Sequence, residues 1–92
     1  MEARAKQMSE LLKTLANENR LIILGALMKG PKSVGDIAKW VPDISQPALS
    51  QHLSLLKAHG VLDSQKVGMK TMYSIADKRV LKIINVLKRC YY

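Results

Sequence analysis

The stretch from Ser45 to Lys57, SQPALSQHLSLLK, places side chains suited to hydrogen bonding with nucleic-acid bases along one side of a predicted helix. Its leucines recur at helical spacing, and the core side is predicted to comprise Ala48, Leu49, Leu53, Leu55 and Leu56. The other side carries short or amide side chains, and glutamine can pair bidentately with adenine while serine donates or accepts. The candidate DNA contacts on this helix are Ser45, Gln46, Pro47, Ser50, Gln51, His52, Ser54 and Lys57.

His52 differs from the other candidates because the helical wheel places it within or at the edge of the apolar arc. That position favours a partly buried structural histidine over a base contact. The start of the helix, with Ser45 as N-cap, is suited to holding a phosphate. No acidic residue lies between residues 44 and 62, so nothing in this segment repels a phosphate backbone.

Two short strand patterns follow, at residues 61–66 and 71–75, with residues 67–70 as a hairpin tip. Lys66 and Lys70 flank the tip, and Thr71 lies beside them. A basic tip next to such a helix is predicted to reach a neighbouring phosphate or the minor groove. The alternative is an ordinary polar hairpin with solvated lysines, and the lysines alone do not decide between the two.

The charge of the chain favours a polyanionic partner. Its 92 residues include 15 Lys and Arg against 7 Asp and Glu, a net charge of +8. Residues 63–92 carry most of the excess, with seven basic and two acidic residues. Such a balance is typical of proteins that bind nucleic acid, although a solvated basic surface is the alternative. Trp40 and the three tyrosines are too few for the stacking platform of a single-strand binder.

Several classes of protein are excluded by composition. The single cysteine, Cys90, excludes an intrachain disulfide and a multi-cysteine zinc site within one chain. The chain shows no paired carboxylates, no Ser/His/Asp set and no phosphate-binding glycine loop, so we predict neither an enzyme nor a cofactor. No apolar run could span a bilayer, and MEARAKQMSELLK resembles neither a signal peptide nor an anchor. We therefore predict a cytoplasmic protein without a membrane partner.

Five helices and one hairpin are predicted to position these side chains within a single domain, residues 1–92. The first helix covers residues 2–16, and the second runs from an N-cap at Asn17 to about Lys29, with RLIILGALM as the buried centre. Ser33 and Asp36 form a capping box that opens a third helix, VGDIAKW. The fourth helix spans 45–59, and the last runs from Asp77 to the carboxyl terminus.

The third and fourth helices, joined by VPDI, have the proportions of a helix-turn-helix, in which the second helix enters the major groove. The predicted fold class is therefore mainly α, a winged helix-turn-helix. The predicted function is sequence-specific binding of double-stranded DNA in transcription regulation, with helix 45–59 in the major groove and hairpin 62–75 as the wing.

The first and last helices carry broad apolar faces that suggest a homodimer. Such a dimer would place two recognition helices roughly 34 Å apart, suited to a palindromic operator. Packing within one chain is the alternative. The candidate interface residues are Met8, Leu11, Leu12, Ile83, Ile84, Leu87 and Tyr91.

Three segments together resemble the ArsR-type winged-helix repressors of bacteria: LLKTLANENRLIILGALMKG, SVGDIAKWV and SQPALSQHLSLLKAHGVLDSQKVGMKTMYSI. The resemblance covers nearly the whole chain. It implies a homodimeric regulator that releases its operator when a metal or a reactive sulfur or oxygen species binds. It also implies that His52 lies on the recognition helix near DNA, against the helical wheel.

The sensing residues of this family do not carry over. The cysteine-containing pattern expected on the third helix reads Ser33-Val34-Gly35-Asp36 here. Asp77 matches one zinc-ligand position on the last helix, but Arg79 replaces the expected histidine, and no metal site is predicted. The amino-acid sequence is most similar to the thiol-switch branch of the family, but Ala38 stands where that branch has its third-helix cysteine. Cys90 remains a candidate redox sensor through an interchain disulfide or a persulfide, with a small apolar residue at the dimer seam as the alternative.

Three other functions stay open. The chain could be an antirepressor that displaces another DNA-binding protein, or a winged-helix module that binds an acidic protein. The second is disfavoured by the polar outer face of residues 46–57, because protein interfaces need aromatic or aliphatic anchors. Binding of duplex RNA is weaker still, since a recognition helix does not enter the narrow major groove of A-form RNA. The sequence specifies neither the operator nor the inducer.

Overall fold

A computed structural model describes residues 2–92, and in them five α-helices and three β-strands follow one another in a winged helix-turn-helix. A short 3-10 turn, Glu2–Arg4, leads into the first helix. The elements are α1 (Ala5–Leu15), α2 (Glu18–Leu27), β1 (Lys32–Ser33), α3 (Val34–Ala38), α4 (Gln46–Ala58), β2 (Leu62–Val67), β3 (Lys70–Ile75) and α5 (Lys78–Tyr91). The mainly helical fold class predicted from the sequence is thereby confirmed.

Four helices begin where a polar side chain caps their first turn, as the sequence predicted. Asn17 Oδ1 accepts from the backbone N–H of Arg20 at 3.1 Å. The equivalent caps of α3, α4 and α5 are Ser33, Ser45 and Asp77. Such caps satisfy backbone donors that the helix leaves unpaired, and each contributes about 1 kcal/mol.

The α3 helix is shorter than the predicted VGDIAKW segment, because it ends at Ala38 and leaves Lys39 and Trp40 in a turn. After Ala38 the chain continues as a tighter turn, in which the Trp40 N–H donates to the Ile37 carbonyl at 2.9 Å. Pro42 prevents further helix beyond this turn, because it disfavours helical geometry at Val41. In a full capping box the Asp36 carboxylate would also accept from the backbone N–H of Ser33. That carboxylate instead lies 3.6 Å from Lys39 Nζ in an exposed ion pair.

Two strands were predicted from the sequence, and β1 is a third that was not predicted. Its two residues pair antiparallel with β3, Lys32 opposite Tyr73 and Ser33 opposite Met72, so the sheet order is β1-β3-β2. A two-residue strand is too short to show an alternating pattern, and Ser33 had already been recognised as a helix cap. The added strand makes β3 central, which holds the hairpin to the body of the domain.

The core lies between α2, α3, α4 and the start of the sheet. Ile23, Leu24 and Ile37 are fully buried, and Val80 of α5 joins them. The predicted buried centre in α2 is confirmed, except that Leu21 at its start is 37% exposed. No helix within residues 2–92 combines the length and the apolar character needed to cross a membrane.

Candidate DNA-binding surface

The α4 helix is fixed to the core by three leucines, and this fixes which of its side chains face solvent. Leu49, Leu53 and Leu56 are each at most 1% exposed. Leu55 was predicted to lie on the core side with them, but it is 36% exposed, so that prediction is wrong. At 100° per residue it lies 200° from Leu53 and 100° before Leu56, so it falls on the flank of the helix.

The outer side of α4 carries the predicted polar side chains. Ser45, Gln46, Pro47, Ser50, Gln51, Ser54 and Lys57 are all exposed. The Ser45 Oγ atom accepts from the backbone N–H of Ala48 at 3.2 Å, so its oxygen is used as a cap while its own hydrogen is available to a ligand. Gln46 and Pro47 form the first turn. The exposed side of α4 therefore combines these polar side chains with Pro47.

Lys57, at the other end of α4, contacts the wing. Its Nζ donates to Ser64 Oγ of β2 at 2.6 Å. The bond links the end of the recognition helix to the hairpin on the exposed surface, and it directs this ammonium group toward β2.

His52 is half-buried, as its position on the helical wheel predicted. Burial lowers the pKa of its imidazole below the ordinary value of 6.5, and the positive charge of Arg20 lowers it further. Arg20 was not among the site residues predicted from the sequence. Its guanidinium donates to the Thr14 carbonyl at 3.0 Å, while its buried Nε finds no hydrogen-bond partner among residues 2–92.

We expect NMR titration of the free protein to give His52 a pKa below 6.5, rising toward that value in Arg20→Gln. The unfolded chain binds a proton at His52 more readily than the folded chain does. The contribution of neutral His52 to the free energy of unfolding is therefore complete above pH 6.5. It is lost as the pH falls below 6.5 toward the folded-state pKa. An unchanged His52 titration in Arg20→Gln would contradict the assigned role of Arg20.

The wing is a β-hairpin with a two-residue turn, and its tip is basic and exposed. Lys66 pairs with Thr71 and Val67 with Lys70, so Gly68 and Met69 form the turn. Both lysines are exposed and Thr71 is half-buried. Asp63 is the sole acidic residue between residues 44 and 76, and its Oδ1 accepts from the backbone N–H of Ser64 at 2.8 Å. Helix α4 and the wing therefore present an almost acid-free surface.

A shallow cleft of about 380 Å³ lies between the wing tip and the start of α3. It is lined on the α3 side by Gly35, Asp36 and Lys39 and on the wing side by Met69, Lys70 and Thr71. The first helix of the helix-turn-helix and the wing therefore border the same open space.

The predicted interface residues fall into two groups. Leu12 (54% exposed), Leu87 (40%), Met8 (36%) and Tyr91 (81%) present apolar surface to solvent. Leu11 and Ile83 are partly buried against the core, and Ile84 is only 6% exposed within it. The prediction of Ile84 as an interface residue is therefore corrected. In the amino-terminal half of α5 the apolar stripe packs against the chain's own core, and in the carboxyl-terminal half it is exposed.

Cys90 is a free, exposed thiol near the end of α5. At the other end of the helix, the Asp77 carboxylate accepts from Arg79 Nη2 at 2.6 Å and from Arg79 Nε at 3.0 Å. This side-chain pairing is the main reason that the pKa of Asp77 lies below its usual value. Residues 2–92 contain no group of three or more His, Cys, Asp or Glu side chains placed to hold a metal ion.

Trp40 lies at the surface, 42% exposed, with the Nζ atoms of Lys29 and Lys32 at 5.4 and 5.9 Å from its ring centroid. The sequence predictions considered Trp40 only as a stacking residue and did not include its lysine partners. Lys29, Lys32 and Trp40 lie on separate segments of the chain, so no local pattern marks their contact.

Comparison with known proteins agrees with this geometry. Residues 17–64, which span α2 to the first half of the wing, match the model of the bacterial regulatory protein, arsR family. The chain belongs to the ArsR family. It is 37% identical to the biofilm growth-associated repressor of Agrobacterium fabrum over 95% of this chain and 74% of that protein. It is 36% identical to the transcriptional activator HlyU of Vibrio cholerae over 99% of this chain and 83% of that protein.

Solved ArsR-family structures have the same fold. The transcriptional repressor BigR from Xylella fastidiosa aligns with a TM-score of 0.92 at 30% identity, covering 100% of this chain and 93% of that one. HlyU from Vibrio cholerae aligns with a TM-score of 0.91 at 36% identity, covering 99% and 98%. The predicted family and the predicted function, DNA-binding regulation of transcription, are confirmed. The chain thereby belongs to a family of regulators and not of enzymes.

Proposed function

We propose that this ArsR-family regulator is a homodimeric repressor that binds a palindromic operator, with α4 in the major groove and hairpin 62–75 as its wing. The observation that carries the proposal is the outer face of α4. Exposed Gln51 and Ser54 lie on the side of α4 away from leucines that are at most 1% exposed, while Ser50 lies on its flank and Gln46 is exposed in its first turn. Side chains of these types read base edges directly, and the short serines allow close approach.

The phosphate contacts are proposed at the edges of this face. Lys66 and Lys70 extend from the wing, and Ser45 caps the start of α4, where backbone N–H groups favour an anion. Thr71 lines the cleft between wing and α3, and Lys57 is bonded to Ser64 on the sheet. His52, half-buried and with a lowered pKa, is proposed as a neutral neighbour of the DNA.

The homodimer is proposed through α1 and α5. Met8, Leu12, Leu87 and Tyr91 leave exposed apolar surface on these helices, which water disfavours and a second copy could cover. A two-fold axis between such helices would present two α4 helices to successive major grooves. Double-stranded DNA and a second copy of the chain are thus the proposed partners of the single domain, in the cytoplasm. Cys90 stays a candidate redox sensor, with a small apolar residue at the dimer seam as the alternative, and the inducer stays open.

Repression is favoured over activation by the names of relatives such as the biofilm growth-associated repressor, although HlyU is named an activator. An antirepressor would share the same DNA surface. The protein-interaction module is disfavoured because Leu55 is the one leucine of α4 with substantial exposure, at 36%, and a single partial anchor is a poor hot spot.

The test is a pair of exposed substitutions that separates base reading from phosphate binding. Duplexes enriched by the wild-type protein from a random 30-base-pair pool supply the binding site. Gln51→Ala is expected to reduce the affinity ratio of selected to random duplex by about tenfold, the cost of one bidentate base contact. Fluorescence anisotropy over a range of salt concentrations measures both quantities.

Lys70→Ala is the matched control. It should weaken binding to selected and random duplexes alike and lower the slope of log affinity against log salt by about one unit. An unchanged ratio in Gln51→Ala, with the slope of Lys70→Ala also unchanged, would overturn the proposed orientation of this face.

A further inference from the structure

The wing ends in two exposed apolar side chains that the fold does not use. Val67 is 57% exposed and Met69 is 96% exposed, and neither contributes to the core or packs against it. Apolar groups held this far from the core gain nothing from folding, and water disfavours them. Their exposure at the end of a basic hairpin therefore points to a partner that covers them.

The turn holds Met69 at the corner of the hairpin. Gly68 has a φ of +63°, and Val67 pairs directly with Lys70 across the turn. A glycine with positive φ at the first of two turn positions is the arrangement of a type II′ hairpin, which matches the twist of the strands. The pairing of β2 with β3 continues up to the turn, and β1 pairs with β3 nearby, at Met72 and Tyr73.

The two wing lysines leave the hairpin on opposite faces. Side chains alternate along a strand, and residues directly opposite each other share a face. Lys66 and its partner Thr71 therefore lie on one face, while Lys70 and its partner Val67 lie on the other. Met69 lies in the turn between the strands that carry these lysines, and no acidic residue occurs from Ser64 to Ala76. The acidic side chain that borders the tip is Asp36 of α3, across the open cleft.

We infer that Met69 enters the DNA minor groove as an apolar wedge at the edge of each half-site, with Lys66 and Lys70 binding phosphates on its two walls. The inference rests on the proposed function, since it places the wing beside the major groove that α4 occupies. The minor groove is about 6 Å wide and is bordered by phosphates on both sides, which matches one apolar tip between two cations. Methionine is among the side chains that proteins insert between base steps.

The wedge predicts a base-sequence preference at a DNA step to which the protein makes no hydrogen bond. Inserting an apolar side chain partly unstacks a base step, and pyrimidine–purine steps such as TA and CA unstack most readily. We therefore expect the duplexes enriched by the wild-type protein to carry such a step outside the bases read by α4.

The experiment uses the full chain and duplexes selected from the random pool, with 2-aminopurine placed at successive flanking positions. This base brightens when it unstacks. Wild type is expected to brighten one flanking step, and Met69→Gln should abolish the signal and weaken binding about fivefold with an unchanged salt slope. Met69→Leu should keep both the signal and the affinity. Since Met69 is 96% exposed, both variants should fold as the wild type does.

The outcomes separate the wedge from the proposed function. A wild-type protein that enriches no duplex would overturn DNA reading itself. Enrichment without a 2-aminopurine signal at any flanking step would overturn the wedge and leave DNA reading intact. Wild-type affinity in Met69→Gln would likewise show that the tip faces something other than DNA.

Discussion

Leu12→Glu is expected to convert the protein from a dimer to a folded monomer and to weaken binding of a palindromic site by at least about 100-fold. Leu12 is 54% exposed on α1 and does not belong to the core, so the change should leave each domain folded. Two half-sites bound by linked domains gain about 10² to 10⁴ over one, and the monomer loses that gain. Affinity for a single half-site should stay near the wild-type value.

Sedimentation equilibrium would report the change directly, as a mass near 10.3 kDa in place of twice that value. Gln7→Glu is the matched control, because it adds the same single charge to α1 at an exposed position about 140° around the helix from Leu12. If Leu12→Glu remained a dimer with full affinity for the palindrome, the proposed α1 and α5 interface would be wrong.

Much of the fold follows from local signals in the sequence. Asn17, Ser33, Ser45 and Asp77 each mark a helix start that the structure confirms through a side-chain cap. These signals are strong because each cap joins residues only two or three positions apart. The hairpin is similarly local, since Gly68 supplies the positive φ that its turn requires.

Features that depend on distant residues were not predictable in the same way. The β1 strand exists because Lys32 and Ser33 pair with residues some forty positions later, and two residues carry no periodicity of their own. The burial of Ile84 was misjudged for a related reason. An apolar stripe on a terminal helix looks the same whether it covers its own core or a partner, and only the packed chain separates the two.

The candidate site lies between these cases. The polar outer face of α4 follows from leucine spacing, whereas the assignment of Leu55 fails because a leucine on the flank of a helix has no distinguishing pattern. The charge partner of His52 was missed because Arg20 lies 32 positions earlier in the chain, on α2. Local chemistry thus predicts which side chains a face offers, and packing decides how they are oriented and tuned.

Leu53→Ala is expected to lower the free energy of unfolding by about 2 to 5 kcal/mol, a large part of the 5 to 15 kcal/mol typical of a domain. Leu53 is 1% exposed within the core cluster, so truncation removes buried methyl groups and leaves a cavity. Urea denaturation at one fixed protein concentration is the measurement, because dimerisation makes apparent stability depend on concentration.

Leu55→Ala is the matched control, with the same chemical change two residues along the same helix. Leu55 is 36% exposed, so its truncation should cost less than about 1 kcal/mol. The contrast measures the rotation of α4 about its own axis. Equal costs for the two variants would place Leu55 in the core, turn the helix from the orientation described, and remove Gln51 and Ser54 from the face proposed to read DNA.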